Sequence, residues 1–75
     1  MMTNYIYTRS FPPCPYCDRV KALLDAYKIP YDEYDISEDD FYLDFTYQGF
    51  KSVPQVFLNN KHIGGFDATA KFLRD

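Results

Sequence analysis

Seventy-five residues leave room for one domain over residues 1–75, too small to bury more than about 60% of the surface its unfolded chain exposes. Aromatic residues make up 20% of the chain, with eight Tyr and seven Phe, which is too much apolar surface for a disordered segment. A net charge of −3 argues against a nucleic-acid binder; no apolar run approaches the roughly 20 residues of a membrane-spanning helix, and Met1–Thr8 has neither the basic start nor the apolar stretch of a secretion signal.

Asn4–Thr8 (NYIYT) predicts a first strand, ended by Arg9-Ser10 and the prolines Pro12, Pro13 and Pro15. From Pro15 to Lys28 the apolar residues Val20, Leu23, Leu24 and Tyr27 recur at helical spacing, so a helix should bury them. Pro15 suits the first turn, where its missing N–H costs nothing. Pro30 is the expected stop, because the residue before a proline is pushed out of helical geometry. Tyr31–Ile36 fits a second strand.

Ser37 then reads as the N-cap of a second helix, with Glu38, Asp39 and Asp40 at the positive end of its dipole. Phe41, Tyr42 and Phe45 should turn inward, and Gly49 should end the helix. Gln55–Leu58 reads as a strand, Asn59-Asn60 as a tight turn tolerant of positive φ, and Lys61–Ile63 as the hairpin partner. Gly64-Gly65 breaks that strand, and Asp67 is expected to cap a last helix whose Lys71 and Arg74 suit its negative end. The order is β-α-β-α-β-β-α, with Tyr5, Tyr7, Phe57 and Phe72 expected in the core and His62 at the surface.

The two cysteines, Cys14 and Cys17, carry the chemistry. A bridge between residues three apart closes too small a loop to constrain the unfolded chain much, so a purely structural role is disfavoured. In a reducing cytosol, the default without a secretion signal, a CxxC reads as metal-binding or redox. Zinc needs about four ligands, and beyond the cysteines only His62 is a good candidate, so no metal is expected. At the junction of strand and helix, Cys14 would meet unpaired N–H groups and the positive dipole end, which favour thiolate over thiol. Only the thiolate attacks a disulfide. Cys14 is therefore expected to be the exposed nucleophile and Cys17, one turn deeper, the resolving thiol, with Arg19 and Lys21 adding positive potential and Asp18 opposing it. Seven acids and no Lys or Arg lie between Asp32 and Phe50, so the parts bearing the motifs are relatively positive, which suits an anionic ligand.

Cys14-Pro15-Tyr16-Cys17 after a strand, Val53-Pro54 before a strand and Gly64-Gly65-Phe66-Asp67 before the last helix together resemble glutaredoxin, over Tyr5 to Leu73. The resemblance implies an α/β, thioredoxin-like fold of the minimal glutaredoxin type, a four-stranded mixed sheet flanked by three helices. It implies that Cys14 carries a mixed disulfide with glutathione and that Cys17 resolves protein disulfides. Pro54 would be cis, and the backbone of Val53 would pair with glutathione like an added strand. Tyr16 would flank the tripeptide; Phe66 and Asp67 would belong to the same site, Asp67 facing the γ-glutamyl end. Arg9 is the candidate for a glutathione carboxylate, with Lys51 as substitute.

Two departures from the family pattern stand out. Arg9 lies five residues before Cys14, where members often place a cation three before, so Ser10-Phe11-Pro12-Pro13 looks like a two-residue extension. Ala68 occupies the place of an Asp that binds the ligand's amino group in many members. The resemblance implies a monomeric cytoplasmic oxidoreductase with glutathione as co-substrate, acting on disulfide-containing proteins, with ribonucleotide reductase as one implied client. Two alternatives stay open: a redoxin recharged by thioredoxin reductase, and a module holding an iron–sulfur cluster between two subunits. Pro15 weighs against the second.

Overall fold

A computed structural model describes residues 3–75. Four strands, β1 (Tyr5–Thr8), β2 (Asp32–Asp35), β3 (Gln55–Leu58) and β4 (Lys61–Gly64), form one sheet in the order β2-β1-β3-β4. β1 runs parallel to β2 and antiparallel to β3, and β3 runs antiparallel to β4. Three helices complete the chain: α1 (Pro15–Ala26), α2 (Asp39–Tyr47) and α3 (Phe66–Arg74). The sequence order of elements is the expected one, and the fold is the expected mixed sheet with three helices.

Side-chain alternation explains the layers. Ile6 on β1 and Val56 and Leu58 on β3 point to one face, where Val20 and Leu24 of α1 meet them, with Phe66 and Leu73 of α3 alongside. Tyr7 and Phe57 point to the other face and pack with Phe45 of α2, Phe50 and Val53. Both central strands are thus covered on both sides, which is why neither shows a clean polar–apolar alternation. The second cluster is almost wholly aromatic: Tyr5 stacks on Phe57 at 4.5 Å, and Tyr34 stacks on Phe41 at 4.9 Å. The edge strand β2 is acidic along its length, a charged edge being one way a sheet avoids pairing with another chain.

The C-terminal ends of α1 and α2 close in the same way. After α1, Lys28 turns left-handed at φ 57, its N–H reaching the Asp25 carbonyl while Ile29 N–H reaches the Leu24 carbonyl. This doubled closure, with Ile29 packed on the cluster containing Leu24, ends the helix before Pro30 is reached. The helix is therefore shorter than expected, and Tyr27 at its C-cap is exposed instead of buried. After α2 the same closure uses Gly49 at φ 87, with Phe50 N–H on the Phe45 carbonyl.

Other expectations fail at helix starts. The N-cap of α2 is Glu38, not Ser37, because the Ser37 hydroxyl is held by the backbone of Phe11, 3.1 Å from its N and 3.2 Å from its O. The N-cap of α3 is Gly65, and Asp67 sits inside the first turn. Tyr42 and Phe72 face outward, about half exposed; in both helices other apolar residues already fill the inward stripe. Asn59-Asn60 makes the expected turn at φ 55 and 64, the left-handed pair that a two-residue hairpin favours.

Candidate active site

Cys14 is the N-cap of α1, with extended backbone at φ −126 and ψ 94, and Pro15 takes the first helical position. Its Sγ accepts the N–H of Cys17 at 3.2 Å, and its carbonyl accepts the N–H groups of Cys17 and Asp18. The sulfur therefore occupies the place of a capping side-chain oxygen, facing donors that the helix itself cannot satisfy. Cys14 and Cys17 are joined by a disulfide, with Cα atoms 5.2 Å apart. Cys14 retains 7% of its accessible surface and Cys17 1%. The expected order of accessibility holds, but Cys14 is largely covered and not exposed, because the loop before β3 lies against it: the Val53 carbonyl oxygen is 3.9 Å from its sulfur.

The loop before β3 brings the second motif to the first. The Val53–Pro54 bond is cis, as the resemblance implied. Beside it an open groove of about 420 Å³ is lined by Tyr16, Val53, Pro54, Phe66 and Asp67, together with Ser52, Gln55, Gly65 and Ala68. Tyr16 and Phe66 form an aromatic side at 6.1 Å between rings, and the Arg19 guanidinium lies 5.0 Å over the Tyr16 ring, where a cation is attracted to the ring face. At the far end α3 begins at Phe66, so the N–H groups of its first turn have no partner within the helix.

Arg9 and Lys51 are not among the groove-lining residues. Arg9 donates from Nε to the Pro12 carbonyl at 2.9 Å and from a terminal nitrogen to the Pro13 carbonyl at 3.5 Å. Lys21, expected to lend positive potential, is held by Glu33 at 3.1 Å and Asp18 at 3.8 Å. Partial burial pushes its ammonium pKa down, but the hydrogen bond and charge of Glu33 outweigh this and raise it. Ser52 and Gln55 are groove residues that sequence reasoning missed. Gln55 is held in place: its amide donates to the Ser52 carbonyl at 3.0 Å, and its Oε1 lies 2.8 Å from His62 Nε2. Adjacency to Val53 and Pro54 was the available signal, since motif loops contribute neighbours as well as motif residues. No cluster of three or more metal-ligating side chains occurs among the described residues.

A disulfide-forming cysteine pair at the start of a helix, packed against the loop that leads into β3 of a mixed four-stranded sheet, defines a thioredoxin-fold thiol–disulfide oxidoreductase. Comparison with known proteins narrows the class. The glutaredoxin family model matches residues 5–63. Glutaredoxin 1 of Rickettsia conorii is 38% identical over 76 residues, covering 88% of this chain and 67% of that protein, and glutaredoxin 1 of Rickettsia felis is 40% identical with the same coverage. Among solved structures, the buckwheat glutaredoxin–glutathione complex superposes with a TM-score of 0.80 at 30% identity, over 99% of this chain and 70% of that one. Glutaredoxin from Brucella melitensis gives 0.77 at 34%, over 99% and 80%. The chain belongs to the glutaredoxin family.

Proposed function

We propose that this glutaredoxin uses glutathione as its reductant, with Cys14 as nucleophile and Cys17 as resolving thiol. The observation that carries the reading is the position of Cys14: an N-cap sulfur, bonded to Cys17, beside a groove lined by Tyr16, Val53, Pro54, Phe66 and Asp67. The Cys14 thiolate attacks a substrate disulfide, forming a mixed disulfide and releasing one substrate thiolate. Cys17 attacks the Cys14 sulfur, releasing the second substrate thiolate and leaving the Cys14–Cys17 disulfide. One glutathione thiolate then attacks Cys14 and frees Cys17. A second attacks the bound glutathione sulfur, giving glutathione disulfide and returning Cys14 as thiolate. Each cycle oxidises two glutathiones and reduces one disulfide.

The groove suits a short anionic peptide. The Val53 backbone can pair with an extended ligand, Tyr16 and Phe66 offer apolar sides, and the first turn of α3 offers N–H groups to a carboxylate. A solved relative from buckwheat was crystallised with glutathione, which supports the same ligand here. Glutaredoxin potentials lie at roughly −200 to −230 mV, within reach of the glutathione pool. We place the protein in the cytoplasm, where thiols are kept reduced, as one domain acting as a monomer on disulfide-bearing and glutathionylated proteins. Ribonucleotide reductase is a client suggested by family resemblance.

The deciding experiment supplies NADPH with either glutathione and glutathione reductase or thioredoxin reductase alone, and follows reduction of a small disulfide. Turnover with the glutathione system is expected. Turnover with thioredoxin reductase only would replace glutathione as the reductant.

A further inference from the structure

Arg9 stands out because its side chain is committed elsewhere than the ligand groove. Between β1 and Cys14 the chain makes a loop, Ser10–Pro13, with prolines at two of its four positions. Proline has a carbonyl but no N–H, so this exposed loop cannot close a backbone ladder of its own, and its carbonyls are open to side-chain donors. Arg9 supplies them. Its planar guanidinium, all donors and no acceptor, reaches the carbonyls of Pro12 at 2.9 Å and Pro13 at 3.5 Å. Pro13 is the residue directly before Cys14.

The other end of the loop is clasped independently. Asp35 Oδ1 accepts the N–H of Ser10 at 3.2 Å and of Ser37 at 2.8 Å. The Ser37 hydroxyl accepts from Phe11 N–H at 3.1 Å and donates to the Phe11 carbonyl at 3.2 Å. Ser10 and Phe11 are thereby fixed to the turn after β2, and Pro12 and Pro13 to the end of β1. Phe11, at 81% exposure, contributes little burial, so polar contacts hold this loop.

We propose that Arg9 is a positioning residue for the reaction: by fixing the Pro12 and Pro13 carbonyls it holds Cys14 in the extended N-cap geometry in which its sulfur meets the helix N–H groups. The proposal rests on the reading of Cys14 as nucleophile. It assigns Arg9 a task different from meeting a glutathione carboxylate, and it assigns Ser37 the same task at the loop's other end. The sulfur lies 3.2 Å from the Cys17 nitrogen, at φ −126 and ψ 94, in the disulfide form, where the S–S bond also fixes it; once that bond is reduced, the residues before Cys14 take over part of holding it there. Loosening them weakens the contact that favours thiolate, without altering the groove.

The test uses the reduced full chain as wild type, Arg9→Ala, Arg9→Lys and Ser37→Ala, with far-UV circular dichroism confirming that each is folded. Two quantities are read: the pH profile of Cys14 alkylation by iodoacetamide, located by mass spectrometry, and steady-state kinetics with a small disulfide and varied glutathione. Arg9→Ala and Ser37→Ala should each move the alkylation profile to higher pH, by about one unit, the low end of the span over which microenvironments lower a cysteine thiol. The rate with the small disulfide should fall several-fold while half-saturation by glutathione stays within about twofold. Arg9→Lys, which keeps the charge but loses the planar fork, should behave like Arg9→Ala. A raised half-saturation for glutathione with an unmoved alkylation profile would overturn the proposal and return Arg9 to ligand binding. A shift in Arg9→Ala alone, absent from Arg9→Lys and Ser37→Ala, would also overturn it, showing that charge matters and position does not. If wild-type Cys14 is alkylated no faster than Cys17 at any pH, the nucleophile assignment itself fails, an outcome distinct from the other two.

Discussion

The two sulfurs of one short motif stand in different surroundings, one helical turn apart. Cys14 caps α1, while Cys17 sits within the helix, almost fully covered. If Cys14 alone exchanges with glutathione, as proposed, Cys17→Ser should keep turnover of a glutathionylated peptide, whereas Cys14→Ser should abolish it. Equal losses in both variants, measured with the glutathionylated peptide, would contradict this division. Ala68 offers a second residue-scale test, because it lines the groove beside Asp67 without a carboxylate of its own. Ala68→Asp should tighten glutathione by about 0.2–1 kcal/mol, the worth of a solvent-exposed ion pair. Half-saturation should fall up to a few-fold at low salt and return toward wild type as salt rises. Unchanged glutathione dependence in the folded variant would mean that the ligand's amino group lies elsewhere.

Elements set where those residues stand, and two junctions show how. β4 ends at Gly64 with φ 128, and an added Cβ there would lie 2.9 Å from the Ala68 Cβ. Neither partner can move far, one being backbone of the sheet and the other part of the first turn of α3. Gly64→Ala should thus cost about 1–3 kcal/mol through overpacking, visible as a lowered melting temperature. Gly65→Ala, whose Cβ would meet only the Pro54 carbonyl at an ordinary 3.6 Å, should cost less; a larger loss at Gly65 would refute the packing argument. The second junction is the Asp35 clasp. Partial burial pushes the Asp35 carboxyl up, but hydrogen bonds from Ser10 and Ser37 outweigh it and hold the carboxyl below its ordinary 3.8. A carboxylate with a depressed folded pKa adds stability above its unfolded value, and that stability is lost as pH falls through the folded one. Denaturant titrations from pH 6 to about pH 2 should show wild-type stability declining more steeply below about pH 4 than that of Asp35→Asn. Parallel declines would remove Asp35 from the clasp.

At the scale of the whole molecule, the fold was legible wherever local signals and tertiary packing agree. Gln55–Leu58 and the Asn59-Asn60 turn were readable because a short β-branched and aromatic run meets the one turn chemistry that closes a two-residue hairpin. The cysteine motif was readable because its spacing and its place between strand and helix carry the chemistry together. Disagreement arose where a distant residue outbid a local one. Ser37 carries the local signature of an N-cap, but its hydroxyl is taken by Phe11, 26 residues earlier. Lys28 carries no sign of a left-handed residue, and only the docking of Ile29 on the core explains it. Arg9 reads as a ligand cation by resemblance alone; in the structure its guanidinium reaches the nearby carbonyls of Pro12 and Pro13. Ser52 and Gln55 enter the groove as chain neighbours of Val53 and Pro54, a signal of place and not of residue type.

The central claim is that Cys14 exchanges with glutathione and Cys17 with Cys14, and it is tested most directly by trapping. Reduced Cys17→Ser protein is mixed with glutathione disulfide, quenched with acid and analysed by intact-mass and peptide mass spectrometry. The account predicts one glutathione per chain, on Cys14, released again by free glutathione. No adduct on Cys14 under conditions where a free small thiol exchanges readily would contradict it.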